Sequence, residues 1–238
     1  MQAGGTPHTP PAEPAPEVVA ERPDWIVIAK PPGWHAVDQA GNPGARTIEG
    51  WLRTARPEHA ALHEAGLVHR LDEGTSGCLV AARTPAAQER LRAAFASAQA
   101  THKEYLALAQ GGLPAEGSFR LYFSSRHKGS KKVTVRHEGQ APECGRCRWR
   151  VLARAVDGVH DCVEVELVGR GRRHQVRAGL AHLGHPLRGD ALYGGDCTQD
   201  ASAALHAWRV TVDGETIECP PDARYAAAVT DPTSRPRP

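Results

Sequence analysis

Aromatic residues are scarce in this 238-residue sequence, at 5% of the chain. A buried core must therefore rest mainly on Leu, Val, Ile and Ala side chains. No apolar run approaches the roughly 18 residues that a membrane-spanning helix needs, so we predict no membrane segment. The first residues are rich in Pro, Ala and Gly and lack the apolar stretch of a signal peptide. We therefore expect the six cysteines to be reduced and the protein to be cytoplasmic.

The sequence also lacks the patterns that mark common cofactor and metal sites. It contains no Walker-type phosphate loop and no dinucleotide fingerprint. Cys144 and Cys147 have the spacing of a zinc knuckle, but no second CxxC pair follows them. His174, His182 and His185 cluster near one another in the chain without an HExxH motif. These observations favour ordinary reduced thiols and histidines over a metal centre.

Positive charge is concentrated in one segment, although the formal net charge of the whole chain is only +2. Between Arg120 and Arg150 the chain has nine Lys or Arg and two Glu residues, a local net charge of +7. Charges act over only about 10 Å at ordinary salt, so a local excess matters more than the total. The segment is typical of a surface that binds nucleic acid, and charge alone equally allows a solvated, Arg-rich surface.

Composition divides the chain into one domain and two tails. Residues 1–17 contain five prolines and should form a disordered tail, and residues 223–238 are interpreted as a second tail. The domain, residues 18–222, should be α+β with a mixed, largely antiparallel sheet, because several strand patterns follow one another directly. We predict strands at 24–30, 78–82, 103–109, 133–136, 147–153, 162–168 and 204–212, and helices at 47–56, from Thr84 and at 173–183.

A polar loop, residues 66–77, lies between two apolar runs and gathers His, Arg, Asp, Thr and Ser side chains between glycines. Loops held by a rigid sheet often carry catalytic groups. The same residue types are common in ordinary turns, so the loop alone is weak evidence for a site.

A resemblance to a known family makes this loop a stronger candidate for a catalytic site. His69 to Gly77 resembles the HRLDxxTSG signature of RluA-type pseudouridine synthases. Further blocks match this family in the expected order, at Lys30–Gly33, Lys103–Leu108, Gly171–Arg177, Leu183–Gly194 and Leu205–Ala207. The resemblance covers roughly residues 24–222, and several separated blocks in order make a chance match very improbable.

The resemblance implies an RNA-modifying isomerase with a single catalytic domain. Asp72 would be the nucleophile that lets uracil detach from ribose C1′, rotate and rejoin through C5. Arg177 would keep that carboxylate ionised, and Tyr105 would stack on the base. Three routes are open for the carboxylate: attack on the sugar, attack on the base, or assistance in removing the 2′ proton. The reaction involves no redox change, so neither metal nor organic cofactor is expected.

The same resemblance implies RNA as the partner, either ribosomal or transfer RNA, bound by a monomer. Arg70 would fill the space of the uridine that leaves the base stack, although a phosphate contact or a structural ion pair is also open. The predicted RNA-binding residues are Arg70, His69, Arg126, Lys128, Lys131, Lys132, Arg172 and His174. The alternative function is a catalytically inactive RNA-binding or ribosome assembly protein on the same fold.

Two positions depart from the family pattern. Arg170 stands where the family usually has Thr, and Gly179 stands where it usually has His. Neither is one of the three catalytic candidates, so the departures concern local packing and RNA contacts.

Overall fold

The computed structural model describes residues 14–38, 44–97, 101–125, 127, 129–154, 159–198, 200 and 202–225. Within these residues the chain forms one sheet of ten strands with three α-helices. The strands are β1 (Glu17–Glu21), β2 (Trp25–Lys30), β3 (Ser76–Ala82), β4 (Lys103–Gln110), β5 (Glu116–Ser125), β6 (Val133–Arg136), β7 (Cys144–Arg154), β8 (His160–Val168), β9 (Leu205–Val212) and β10 (Glu215–Glu218). The helices are α1 (Ile48–Ala55), α2 (Pro85–Ala96) and α3 (Gln175–His182). No helix among the described residues is long and apolar enough to span a membrane.

The sheet has the strand order β1-β2-β3-β9-β4-β8-β7-β5-β6, and β10 also pairs with β9. All of these pairings are antiparallel except that of β3 with β9, which is parallel at Ser76 and Gly77. The sheet is therefore mixed and largely antiparallel, as predicted. The short parallel contact places the loop before β3 next to β9 and β4, in the middle of the sheet.

Helices cover both faces of the sheet. On one face, α1 and α3 bury Ile48, Leu52 and Leu180 against a core that includes Tyr105. On the other face, α2 buries Leu91 and Phe95 against the outer sides of β2 and β3. The central strands thus have apolar side chains packed on both faces.

Local sequence signals account for the helix starts. Thr47 and Thr84 are N-caps whose side chains accept hydrogen bonds from the backbone N–H groups of Gly50 and Ala87. Helix α3 was expected from residue 173 and instead begins at Gln175. His174 adopts a left-handed conformation with φ 55°, so the chain cannot continue the helical turn through it.

Every predicted strand and helix is present, and three strands were missed. Strand β5 has a readable signal, since Phe119, Leu121 and Phe123 alternate with less buried positions. Strands β1 and β10 are five and four residues long, and they lie outside the predicted segments.

The folded part extends beyond both predicted boundaries. Strand β1 includes Glu17, which was assigned to the first tail. At the other end, Tyr225 is fully buried against Leu106, Leu108 and Trp208, although the tail was predicted to start at residue 223. Burial of one large aromatic ring is enough to hold a short segment against the sheet. Residues 1–13 and 226–238, the rest of the two predicted tails, lie outside the described residues.

Candidate active site

Asp72 lies in a loop that the sheet holds at its end. The backbone N–H of Thr75 donates to the carbonyl of Asp72 at 3.1 Å and closes a turn. Just after the turn, Gly77 has φ +104° and lies where a Cβ would stand 2.2 Å from the carbonyl oxygen of Ala207. Only glycine tolerates that approach, so it allows β3 to pair with β9 directly after the loop.

Lys30 fixes the other side of the same loop. Its ammonium is buried and donates to the carbonyl oxygens of Glu73 at 2.9 Å, Pro31 at 2.9 Å and Trp34 at 2.6 Å. Burial lowers the pKa of Lys30 to about 7, and the charges of Asp72 and Glu73 oppose that shift. All three N–H donors of the ammonium are used, so Lys30 holds the residue after Asp72 in place.

An ion cluster links Asp72 to helix α3. Arg177 donates from Nη1 to Asp72 Oδ2 at 3.2 Å. The same guanidinium donates from Nε and Nη2 to the two carboxylate oxygens of Asp190, at 2.7 and 2.8 Å. The Asp190 side chain is fully buried, whereas that of Asp72 is 24% exposed. Asp190 therefore orients the guanidinium, and Asp72 remains open to a ligand.

The electrostatics of the cluster keep Arg177 charged. Burial alone would lower the pKa of Arg177, but hydrogen bonds and charges from Asp190 and Asp72 outweigh burial and raise that pKa. A permanently charged guanidinium next to a carboxylate favours the ionised carboxylate. An ionised, partly exposed Asp72 is the chemical requirement for a nucleophile or a base.

Tyr105 lies on β4, with its side chain on the sheet face covered by α1 and α3 and only 8% of the residue exposed. Burial raises the pKa of Tyr105, and the negative charge of Asp72 adds to the rise. The phenol therefore stays protonated at neutral pH and offers an O–H group near the Asp72 carboxylate.

His174 approaches the second oxygen of Asp72. Its Nε2 lies 3.8 Å from Asp72 Oδ1, and its Nδ1 lies 2.8 Å from the hydroxyl of Tyr193. Burial lowers the pKa of His174, while the charge of Asp72 opposes the shift, so the ring is neutral at pH 7. The Tyr193 hydroxyl accepts from the backbone N–H of Val133 at 3.1 Å. If that hydroxyl donates to Nδ1, the ring proton resides on Nε2, on the side that faces Asp72.

The site thus combines one reactive carboxylate with a fixed cation, a protonated phenol and a neutral imidazole. This set suits proton transfer and nucleophilic chemistry. The family model described as RNA pseudouridylate synthase matches residues 24–182 of the chain. The chain belongs to this family. The RluA-type resemblance read from the motif blocks is confirmed.

Curated relatives carry the same family identity. Ribosomal large subunit pseudouridine synthase D of Xanthomonas campestris is 38% identical over 219 residues, which cover 89% of this chain and 63% of that protein. The protein of the same name from Escherichia coli K12 is 35% identical over 179 residues, covering 75% of this chain and 52% of the relative. The chain therefore spans between about half and five-eighths of the length of these relatives.

Solved structures of the family share the fold. Human RNA pseudouridylate synthase domain containing 1 has 25% sequence identity and a TM-score of 0.66, covering 90% of this chain and 86% of the human one. Human RNA pseudouridylate synthase domain containing 4 has a TM-score of 0.68 at 18% identity, over 89% and 91% of the two chains, and it supports the fold alone.

Part of the predicted RNA-binding set lies exposed around the synthase site. Arg70 is exposed two residues before Asp72, and Lys131 and Lys132 are exposed just before β6. The ammonium of Lys132 lies 5.2 Å from the ring centroid of Tyr193, which also contacts His174. The basic segment between β5 and β6 therefore adjoins the site. Arg126 and Lys128, predicted in the same segment, lie outside the described residues.

Two other predicted RNA ligands are engaged by the protein itself. His69 stacks on Phe95 with ring centroids 4.6 Å apart, and its Nε2 accepts from the backbone N–H of Val80 at 3.1 Å. Burial lowers the pKa of His69 to about 3, so the ring is neutral. Arg172 donates from Nε to the carbonyl of Cys144 at 2.9 Å. These contacts favour structural roles for both residues, in place of the predicted RNA contacts.

Lys30 and Asp190 lie within the motif blocks, but the sequence predicted no role for either residue. For Asp190 the sequence did contain a signal, because an acidic residue close in the chain to the candidate Arg177 suggests a buried ion pair. Arg173 was also missed, and it donates from its two terminal nitrogens to the carbonyls of Ser130 at 2.7 Å and Lys131 at 2.8 Å. Only the folded chain brings these segments together.

The residues of the rejected metal sites are dispersed. Cys144 and Cys147 lie three positions apart on β7, so their side chains point to opposite faces of the sheet. The thiol of Cys147 accepts from the Gln175 amide at 3.3 Å, and burial raises its pKa to about 12. In the described part of the chain, no group of three or more His, Cys, Asp or Glu residues is arranged to hold a metal ion.

The structure explains one departure from the family pattern. A Cβ at Gly179 would lie 2.3 Å from Cζ of Phe119, which packs onto α3 from β5. A histidine at this position cannot coexist with that ring in this packing. The ring of Phe119 on β5 thus fills the space that a side chain at position 179 of α3 would occupy, and Arg177 keeps its place.

Proposed function

We propose that the protein converts uridine in RNA to pseudouridine, with Asp72 as the catalytic nucleophile. The observation that carries the proposal is the 3.2 Å ion pair between Asp72 and Arg177, in which the carboxylate stays 24% exposed. A carboxylate that is charged, oriented and open to ligand can react, whereas one paired on both oxygens and buried serves the fold. Asp190, fully buried beside the same guanidinium, is the structural counterpart.

The reaction breaks the bond between ribose C1′ and uracil N1 and makes a bond between C1′ and C5. N1 gains a proton and C5 loses one, so no electrons enter or leave. Asp72 acts at the sugar–base bond by attack on the sugar, attack on the base or removal of the 2′ proton. Tyr105 stays protonated because its pKa is raised by burial. Its hydroxyl therefore relays the C5 proton only by passing on its own proton.

The target uridine must leave the base stack before Asp72 can reach it. Flipping costs a few kcal/mol and is easiest where the RNA is unpaired. Arg70 is exposed in the catalytic loop, and within the described residues its guanidinium makes no hydrogen bond or ion pair. We propose that Arg70 occupies the vacated place, because a planar guanidinium stacks on neighbouring bases.

We propose RNA of the large ribosomal subunit as the first substrate to test. The curated relatives with 38% and 35% identity are named for that RNA, and the exposed Lys131 and Lys132 flank the site. Transfer RNA remains the second substrate class. The protein would act as a monomer in the cytoplasm, where these RNAs are found.

Pseudouridine mapping across total RNA, from cells with and without the gene, tests the proposal. We expect at least one uridine to be modified only when the gene is present, and Asp72→Asn to abolish the modification while RNA binding persists. Glu73→Gln is the matched control, because this neighbouring side chain is 60% exposed and makes one long contact, to His35 at 3.7 Å, while its backbone carbonyl binds Lys30. Modification by Asp72→Asn would contradict the nucleophile assignment. RNA binding without any modification by the wild type would favour the inactive RNA-binding alternative.

A further inference from the structure

Lys103 lies at the start of β4, two residues before Tyr105. Because side chains alternate along a strand, Lys103 and Tyr105 point to the same face of the sheet, about 7 Å apart along it. Only 7% of Lys103 is exposed. Its ammonium lies 5.5 Å from the ring centroid of Phe95 on α2.

The ammonium of Lys103 has no acidic neighbour to explain its burial. Within the described residues, its Nζ makes no hydrogen bond or ion pair, and it lies over the ring of Phe95. Burial lowers the pKa of Lys103 to about 8. Retaining a buried ammonium with three unused donors destabilises a folded protein, which suggests that the group serves a ligand.

Two loops of the synthase site meet at this ammonium. On one side is His69, whose ring feels the charge of Lys103. On the other side is Gly171, where a Cβ would lie 4.0 Å from Lys103 Nζ. The residues next to these two, Arg70 and Arg170, are exposed, and no ion pair is recorded for either within the described residues. Two exposed arginines therefore each lie one residue along the chain from a neighbour of the Lys103 ammonium.

We propose that the ammonium of Lys103 binds a backbone phosphate of the RNA strand next to the uridine held at Asp72 and Tyr105. The inference rests on the proposed function and adds a substrate contact to it. A phosphate supplies the acceptor oxygens that the ammonium of Lys103 lacks among the described residues. Gly171 leaves the approach to the ammonium open, and Arg170 adds positive charge where relatives of this type usually have Thr.

The test compares Lys103→Met with the wild type in binding a short oligouridylate by fluorescence anisotropy over a range of salt concentrations. Met keeps the length of the side chain and removes its charge. Loss of one phosphate contact should reduce the slope of log K against log salt by about 0.7, and weaken binding roughly 10-fold at low salt. Arg22→Met is the control of equal charge change, since Arg22 lies in the turn between β1 and β2 and pairs with Glu215. We expect it to leave the slope unchanged.

A folding defect is distinguished by stability. Removal of an unpaired buried charge should leave the melting temperature of Lys103→Met equal to or above that of the wild type. If the variant proves unstable, oligouridylates with a single methylphosphonate linkage repeat the test on the wild type. A methylphosphonate at one particular linkage should then weaken binding to the wild type by the same factor as is expected for Lys103→Met.

The outcomes separate the phosphate site from the proposed function. A wild-type salt slope in a folded Lys103→Met variant overturns the phosphate site, even when pseudouridine is formed. A reduced slope supports the site, even when the wild type forms no pseudouridine, and in that case the proposed function alone fails. Equal losses in Lys103→Met and Arg22→Met would also overturn the site, because they would show a general charge effect.

Discussion

At the scale of single residues, the site depends on one guanidinium shared by two carboxylates. Arg177 pairs with Asp190 through two hydrogen bonds and with Asp72 through one. The two carboxylates differ in burial, with fully buried Asp190 against Asp72 at 24% exposure. That difference separates an orienting role from a reactive one, although the two residue types are identical.

Replacing the guanidinium should damage both fold and activity. We expect Arg177→Met to lower the free energy of unfolding by about 3–5 kcal/mol, because it leaves the Asp190 carboxylate buried without a cation. Asp72→Asn should change that free energy by less than about 1 kcal/mol, since the side chain is partly exposed. Urea denaturation of both variants measures the difference. Equal losses would mean that Asp72, and not Asp190, is the main structural partner.

The pH dependence of stability should report on Lys103. Its pKa in the folded protein is about 8, against an ordinary value of 10.5. Between these pH values the unfolded chain holds a proton that the folded chain has lost, so the stability of the wild type rises with pH. Across that pH interval, the free energy of unfolding of the wild type should rise by on the order of 3 kcal/mol relative to that of Lys103→Met. The rise should be complete at the upper end of the interval.

Groups around Lys103 should not obscure this dependence. The pKa of His69 is lowered to about 3 by burial, so its ring is neutral throughout. Arginine side chains in general keep their charge over the same pH range. Urea denaturation at a series of pH values compares the two proteins, and a difference that does not vary with pH would contradict the assigned burial of the charge.

At the scale of elements, a short helix and a basic hairpin are joined across the site. The residue just before α3, His174, contacts Asp72 and Tyr193, and Arg173 holds the carbonyls of Ser130 and Lys131 before β6. The position of the predicted RNA-binding lysines is therefore tied to the same segment that positions Arg177.

Loosening this link should affect RNA binding more than chemistry. We expect Arg173→Lys to raise KM for RNA several-fold with kcat unchanged, because an ammonium cannot bind both carbonyls as the forked guanidinium does. Arg173→Met should add the effect of the lost charge. Steady-state kinetics on a structured RNA measures both constants. A drop in kcat with KM unchanged would show that Arg173 supports the catalytic groups instead of the hairpin.

At the scale of the whole molecule, the C-terminal segment closes one face of the central sheet. Tyr225 is fully buried with Leu106, Leu108 and Trp208 on the face opposite to the active site. Its hydroxyl is buried and has no hydrogen-bond partner among the described residues. The ring therefore stabilises the fold, and the hydroxyl opposes it.

Two substitutions separate these contributions. Tyr225→Ala should lower the free energy of unfolding by about 3–5 kcal/mol through the cavity it leaves. Tyr225→Phe should be neutral or slightly stabilising, because it removes an unsatisfied polar group and keeps the ring. Thermal and urea denaturation measure both. A clear loss in the Phe variant would indicate a hydrogen bond to the hydroxyl in solution.

The sequence by itself determined the strands with clear alternation, the capped helices and the identity of Asp72, Tyr105 and Arg177 as a related set. Local signals suffice there, because periodicity and capping act within one segment, and the motif blocks carry the family resemblance. Only the tertiary structure decided the roles of Lys30 and Asp190, the burial of Tyr225 and the engagement of His69. Those roles depend on contacts between residues more than ten positions apart, which burial and packing fix and local sequence does not encode. Asp72 is a candidate nucleophile by sequence, and the fold orients its carboxylate against Arg177 and leaves it partly exposed.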